Sequence, residues 1–246
     1  WRLRPTKRSS MTDPPVESVR VGRGAALWSV AAAVCMAISV AGSYWIAPED
    51  VEGPIQRLVF LHVPIAVVSL IAFGVACVAG LMYLRTRSQR WDDIVVVSCG
   101  LGLLFTVLAM ITGSIWAKAF WGTWWSWQDA RLVTYLIIGL IYAAFFVLRS
   151  SSDSGAQARF SAVFAVVAFA SIPLSFWAVR TAESAIHPVA LDRNGLQMDG
   201  PTALWFVIGH VAMTVVFIAL LKVELLQRQM ERRLSSIRLA LEESAQ

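Results

Sequence analysis

The 246-residue chain is 57% hydrophobic and only 15% charged, with a formal net charge of +5. A soluble domain carries roughly 25% charged residues and a disordered chain is more polar still, so both are excluded and an integral membrane protein remains. The 11 tryptophans are more than membrane insertion by itself requires.

The first ten residues precede Met11. They are set aside as a mis-assigned start or a tag. A membrane-spanning helix needs roughly 20 mostly apolar residues, and six stretches meet that need: about 25–47, 57–84, 94–118, 131–148, 160–180 and 202–221. Their apolar residues run continuously instead of alternating, which excludes a strand barrel. The expected fold is an all-α integral membrane protein with six transmembrane helices. Lys and Arg set its orientation. Sixteen of the 21 fall in 1–24, in the 2–3 and 4–5 connections and in the tail, against five (Arg57, Lys118, Arg131, Arg180, Arg193) on the other side. Both termini are therefore expected in the cytoplasm, with outer loops at about 48–56, 119–130 and 181–201. The division is a basic N-terminal segment 1–24, a six-helix domain 25–225 and a cytoplasmic tail 226–246. The tail mixes Glu231, Arg232 and Arg233 with Leu234 and reads as a short amphipathic helix. It either lies on the membrane or docks a partner, or is simply a solvated helix.

Several chemistries are absent. Cys35, Cys77 and Cys99 all fall inside spans, so no disulfide framework is implied. No C-x-x-C-H motif attaches haem covalently. None of Lys7, Lys118 and Lys222 follows a glycine, so there is no Walker A loop. Any ATP hydrolysis needs a separate chain. No Ser-His-Asp or H-E-x-x-H pattern is present, and no basic run is interleaved with aromatics as in nucleic-acid binders.

The chemistry gathers on the outer face. Trp116, Trp121, Trp124, Trp125 and Trp127 crowd the connection between spans 3 and 4. An interfacial aromatic belt would share Trp between both membrane surfaces. One loop holding nearly half of them reads instead as a stacking platform for a flat ligand, with Asp129 and Arg131 as polar handles at its edge. His62 lies near the outer end of span 2 and His187 in the third outer loop. Approaching from opposite sides, two neutral imidazoles would make a six-coordinate haem iron. Haem propionates need cations, and Arg57 and Arg131 lie on that side against the charge bias. Arg180 is divided evenly between that role and snorkelling. His210, near the middle of span 6, reads as too deep for the same plane and as a helix-to-helix hydrogen bond.

These residues resemble a known family. Trp121-Gly-Thr-Trp-Trp-Ser-Trp127 followed by Asp129-Ala-Arg-Leu132, with Arg57-Leu-Val-Phe-Leu-His-Val-Pro64 before them, is similar to the tryptophan-rich motif of cytochrome c maturation protein C, also called haem exporter protein C. The resemblance covers about 25–225. It implies that the chain binds haem b non-covalently at the outer face of the plasma (inner) membrane. It also implies delivery of that haem to a separate haem chaperone, cytochrome c maturation protein E, for c-type cytochrome biogenesis, beside an ABC transporter whose ATPase is another chain. His62 and His187 match the family's axial ligands. Trp121, Trp124, Trp125 and Trp127 match its platform, and Arg57, Asp129 and Arg131 its polar contacts. The family has Asp directly after the last Trp, whereas Gln128 intervenes here. In a helix that residue rotates the Trp set by about 100° relative to Asp129; in a loop it is absorbed.

A transfer protein without enzymatic activity is the first reading. The alternative is a haem lyase of the same superfamily, which the resemblance pictures as longer and with four histidines. An electron-transfer cytochrome b would pair two His within one helix, and no span has two.

Overall fold

The computed structural model describes residues 16–47, 53–151, 156–181, 191–192, 195–196 and 198–245. Its helices are α1 (Val16–Trp45), α2 (Val59–Thr86, preceded by a 3-10 turn at Pro54–Leu58), α3 (Gln89–Trp121), α4 (Ala130–Ser150), α5 (Gln157–Phe169), α6 (Ser171–Thr181) and α7 (Gly200–Ala245). A two-residue hairpin, β1 (Leu191–Asp192) antiparallel to β2 (Gly195–Leu196), lies between α6 and α7. Among the described residues, six segments are long and apolar enough to cross a bilayer: Gly22–Trp45, Pro54–Thr86, Gln89–Trp121, Ala130–Ser150, Gln157–Thr181 and Gly200–Ser244. They coincide with the six expected spans and mostly overrun them at their ends. The fold is an all-α multi-pass membrane protein. The helix expected after the sixth span does form, but as an unbroken continuation of it: α7 runs 46 residues.

The fifth span is two helices, and the sequence says why. Pro173 has no N–H to give the Phe169 carbonyl, and its ring crowds that carbonyl. The helix breaks at Ala170, with the Ser171 hydroxyl donating to Ala168 O at 2.7 Å and Leu174 N–H to Ala170 O at 3.3 Å. Pro64 sits in the first turns of α2 and likewise leaves the Phe60 carbonyl without its helical donor. There α7 packs tightly against α2. A Cβ on Gly209 would fall 2.6 Å from Phe60 O and 3.3 Å from Pro64 Cγ.

The helix interfaces follow membrane packing rules, where lipid is as apolar as the interior and small residues permit close contact. α2 meets α5 through Ala76, Ala79 and Gly80 against Ala162 and Ala165, the alanines at most 1% exposed and Gly80 buried. A Cβ on Gly80 would come within 2.8 Å of Ala162 O. The α1–α7 pair closes with Trp205 against Gly42, where a Cβ would fall 1.8 Å from Cζ3 of the indole. Large apolar side chains such as Leu27, Val30, Val167 and Leu140 remain outward, as lipid requires and water would penalise.

Polar side chains inside the bundle join helices. Ser69 Oγ and Tyr135 Oη lie 2.5 Å apart, tying α2 to α4. Ser175 donates to Thr134 Oγ1 at 2.7 Å, tying α6 to α4. At the end opposite the Trp loop, Asp92 and Asp93 open α3. Asp92 takes both prongs of Arg149 at 2.9 Å, and Asp93 takes both prongs of Arg232 at 2.5 Å. Arg149 also donates to Gln157 O at 3.3 Å and to the Ser161 hydroxyl. Four helices are thereby locked at one end.

Candidate functional site

At the other end, α3 carries the chain into the tryptophan loop. Gly122 ends the helix at φ +70°, the left-handed conformation that glycine adopts without a Cβ penalty. Lys118 Nζ reaches over to donate to Gly122 O at 2.8 Å. The loop then folds on itself: the Thr123 hydroxyl donates to Trp125 O at 2.9 Å, and Asp129 N–H to Ser126 O at 3.4 Å. Residues Trp127 and Gln128 form a turn, so the intervening Gln128 stands in a loop, exposed, and imposes no helical rotation.

The five tryptophans divide by environment. Trp116 is buried, against Phe120 at 4.4 Å and edge-on to Trp121 at 5.3 Å between ring centres. It is packing beneath the loop. Trp125 is half-buried, edge-on to Trp127 at 5.7 Å. Its Nε1–H is buried and makes no hydrogen bond among the described residues, a cost of roughly 1–3 kcal/mol unless a ligand acceptor meets it. Trp124 and Trp127 are 59% and 72% exposed. Their indoles are the accessible part of the platform expected from the sequence.

Asp129 is 1% exposed and is the N-cap of α4. Its Oδ1 accepts from Arg131 N–H at 2.9 Å and Leu132 N–H at 3.1 Å. The expected polar handle is thus first a structural joint, fixing the end of the Trp loop to the start of α4. Arg131, half-buried in the first turn, is held beside it. Arg57 lies in the 3-10 turn, its guanidinium 5.1 Å above the Tyr44 ring of α1, within cation–π range. Both arginines stand at the Trp-loop end, where span-end positions had placed them.

His62 is in the first turn of α2, half-buried. Its ring turns to α3. Nδ1 lies 3.0 Å from Thr112 Oγ1, and a Cβ on Gly113 would fall 2.8 Å from Cε1. Glycine is what lets the imidazole lie against the α3 backbone. From Gly113 to Trp121 is about 12 Å along α3, so one helix supports both the histidine and the loop. Thr112 and Gly113 carried no signal in the sequence, since a Thr-Gly pair inside an apolar run reads as ordinary packing.

His210 corrects a sequence expectation. It neighbours Gly209, which touches α2 at Phe60 and Pro64, the residues bracketing His62. The two histidines therefore share one depth. The reason is that helical structure before His62 begins at Pro54, above the expected start of its span. The bond of His210 is also local, Nδ1–H donating to Phe206 O of its own helix at 2.8 Å, not helix to helix. His187 lies outside the described residues.

The His62 imidazole, the Trp124 and Trp127 indoles and the Arg57 and Arg131 guanidinium groups thus stand at one end of a helical multi-pass membrane bundle. The chemistry of these groups fits haem: an imidazole nitrogen for the iron, aromatic faces, a buried N–H donor and two cations. The family described as Heme exporter protein C matches residues 9–240, and the chain belongs to that family. It is 30% identical over 215 residues to Heme exporter protein C of Bradyrhizobium diazoefficiens, covering 86% of this chain and 81% of the relative. It is 31% identical over 177 residues to the Paracoccus denitrificans protein of the same name, covering 70% and 72%. It is also 29% identical over 160 residues, covering 65% and 68%, to a Marchantia polymorpha protein named as a putative cytochrome c biosynthesis ccmC-like mitochondrial protein.

Proposed function

We propose that this protein binds haem b non-covalently at the end of the bundle that carries the Trp loop and passes it to a separate haem chaperone for c-type cytochrome assembly. The observation that carries the reading is the placement of His62 against α3, the same helix that ends in the loop exposing Trp124 and Trp127. Haem is here the cargo. His62 and His187 hold its iron, and Trp121, Trp124, Trp125 and Trp127 receive its faces. Arg57 and Arg131 pair with the propionates, while Asp129 holds the loop and Arg131 in place. The asymmetry of Lys and Arg supports an extracytoplasmic site in the plasma (inner) membrane. With no Walker A motif in the chain, an energised partner is an ABC transporter with its own ATPase chain. The family's exporter names and the Marchantia polymorpha relative's cytochrome c biosynthesis name support that setting. Residues 25–225 form the haem-handling unit, and 226–246 form a cytoplasmic arm.

The test is haem quantification on protein purified in detergent, with and without a co-expressed haem chaperone. A b-type spectrum is expected, its haem leaving when the chaperone is present. His62→Ala and His187→Ala each lower the haem content; unchanged haem in both variants defeats the assignment.

A further inference from the structure

A metal-ligating histidine must present a lone pair, so its other ring nitrogen must carry the proton, and a hydrogen-bond acceptor usually fixes that choice. At His62 that other nitrogen is Nδ1, and its neighbour is Thr112 Oγ1 at 3.0 Å. A hydroxyl can donate or accept, so the direction of this bond decides which tautomer His62 adopts. The surroundings of Thr112 settle the direction. Its Oγ1 lies 2.8 Å from Leu108 O and 3.2 Å from Ala109 O, both carbonyls of its own helix. Those oxygens only accept. The single hydroxyl proton belongs between Oγ1 and them, as for threonine in helices generally. Turning it to the imidazole would set oxygen lone pairs against two carbonyls in a low-dielectric interior. The face that Thr112 offers His62 is therefore a lone pair.

We propose that Thr112 is a positioning residue for the haem ligand. It accepts the Nδ1–H proton of His62, holds the ring in one tautomer and one plane against Gly113, and so puts the ligating lone pair on Nε2. The inference rests on the reading of His62 as an iron ligand. Thr112 itself touches no cargo. Its contribution is to remove the wrong tautomer and the wrong rotamer before haem arrives.

The experiment uses full-length protein in detergent, prepared without haem and labelled with 15N-histidine, at a pH above the histidine range so that the rings are neutral. Three histidines give three ring patterns, assigned by His187→Ala and His210→Ala. His210, which donates from Nδ1 to a carbonyl, is an internal reference for the Nδ1–H pattern. In the parent and in Thr112→Ser, His62 shows the Nδ1–H pattern. In Thr112→Val, which keeps the shape and removes the acceptor, it becomes a mixture of tautomers. Titration with ferric protoporphyrin IX then weakens by about tenfold to hundredfold, the usual effect of losing such a partner, and Thr112→Ser restores it. An Nε2–H pattern for His62 in the parent overturns the proposal. So does a Thr112→Val variant that binds the porphyrin as the parent does while His62→Ala does not; that result leaves the haem reading standing. Unweakened binding in His62→Ala removes the ligand reading, and the positioning role with it. If Thr112→Val fails to fold, the parent's tautomer still decides.

Discussion

Arg149 of α4 meets Asp92 of α3 across 57 positions of sequence through two parallel bonds of 2.9 Å, with the carboxylate only 3% exposed. A paired charge of this kind costs most when one partner is removed, because the other stays buried and uncompensated. Arg149→Met is expected to lower stability by about 3–5 kcal/mol, read as a thermal melt of the purified protein by tryptophan fluorescence. Asp92→Asn with Arg149→Met together should recover much of that loss. A single variant that melts with the parent would mean the pair is solvated.

Gly113 is the close approach between His62 and α3. Gly113→Ala places a methyl 2.8 Å from the His62 ring, nearer than non-bonded carbons normally come. The ring must turn away. Haem content is expected to fall severalfold, while Gly74→Ala, where the nearest atom would be 3.5 Å away, leaves it unchanged. Equal haem in both variants would show that the ring has room to adjust.

The cap at Asp129 separates a structural from an electrostatic role. Asparagine caps as well as aspartate does, and alanine costs about 0.5–2 kcal/mol. Asp129→Asn should preserve both the melt and the haem content. Asp129→Ala should lower both, since the Trp loop loses its attachment to α4. Haem loss in Asp129→Asn with an unchanged melt would point instead to a need for the negative charge.

Gln128 stands exposed in a turn outside any helix. Its replacement by alanine should be silent, and its deletion should be absorbed with haem still bound. Complete loss of haem on deletion would show that the register between Trp127 and Asp129 matters.

The legibility of this protein divides along the range of its interactions. Six spans, the all-α class and the concentration of Trp in one connection were readable, because each depends on contiguous residues. A segment of about 20 apolar residues has one low-energy answer in a bilayer, a helix with every backbone group paired internally. Pro173 even marks where the fifth span breaks. The depth of His210 is not legible in the sequence, because it requires the relative heights of two helices, and those are set by the contact of Gly209 with Phe60 and Pro64.

What the sequence by itself determined is therefore the set of elements and the chemistry available at one end of them: His62, Arg57, the Trp loop and Arg131. The tertiary structure alone decided which groups meet. It turned His62 toward Thr112 and Gly113, buried Trp116 while leaving Trp124 and Trp127 open, made Asp129 a cap and paired Asp92 with Arg149. The physical reason is rotation about the helix axis. In water an apolar stripe announces the face a helix buries, but here lipid and neighbouring helices are equally apolar. Only small residues, proline kinks and a few interior hydrogen bonds fix the facing surfaces, and their partners lie dozens of residues away in the chain.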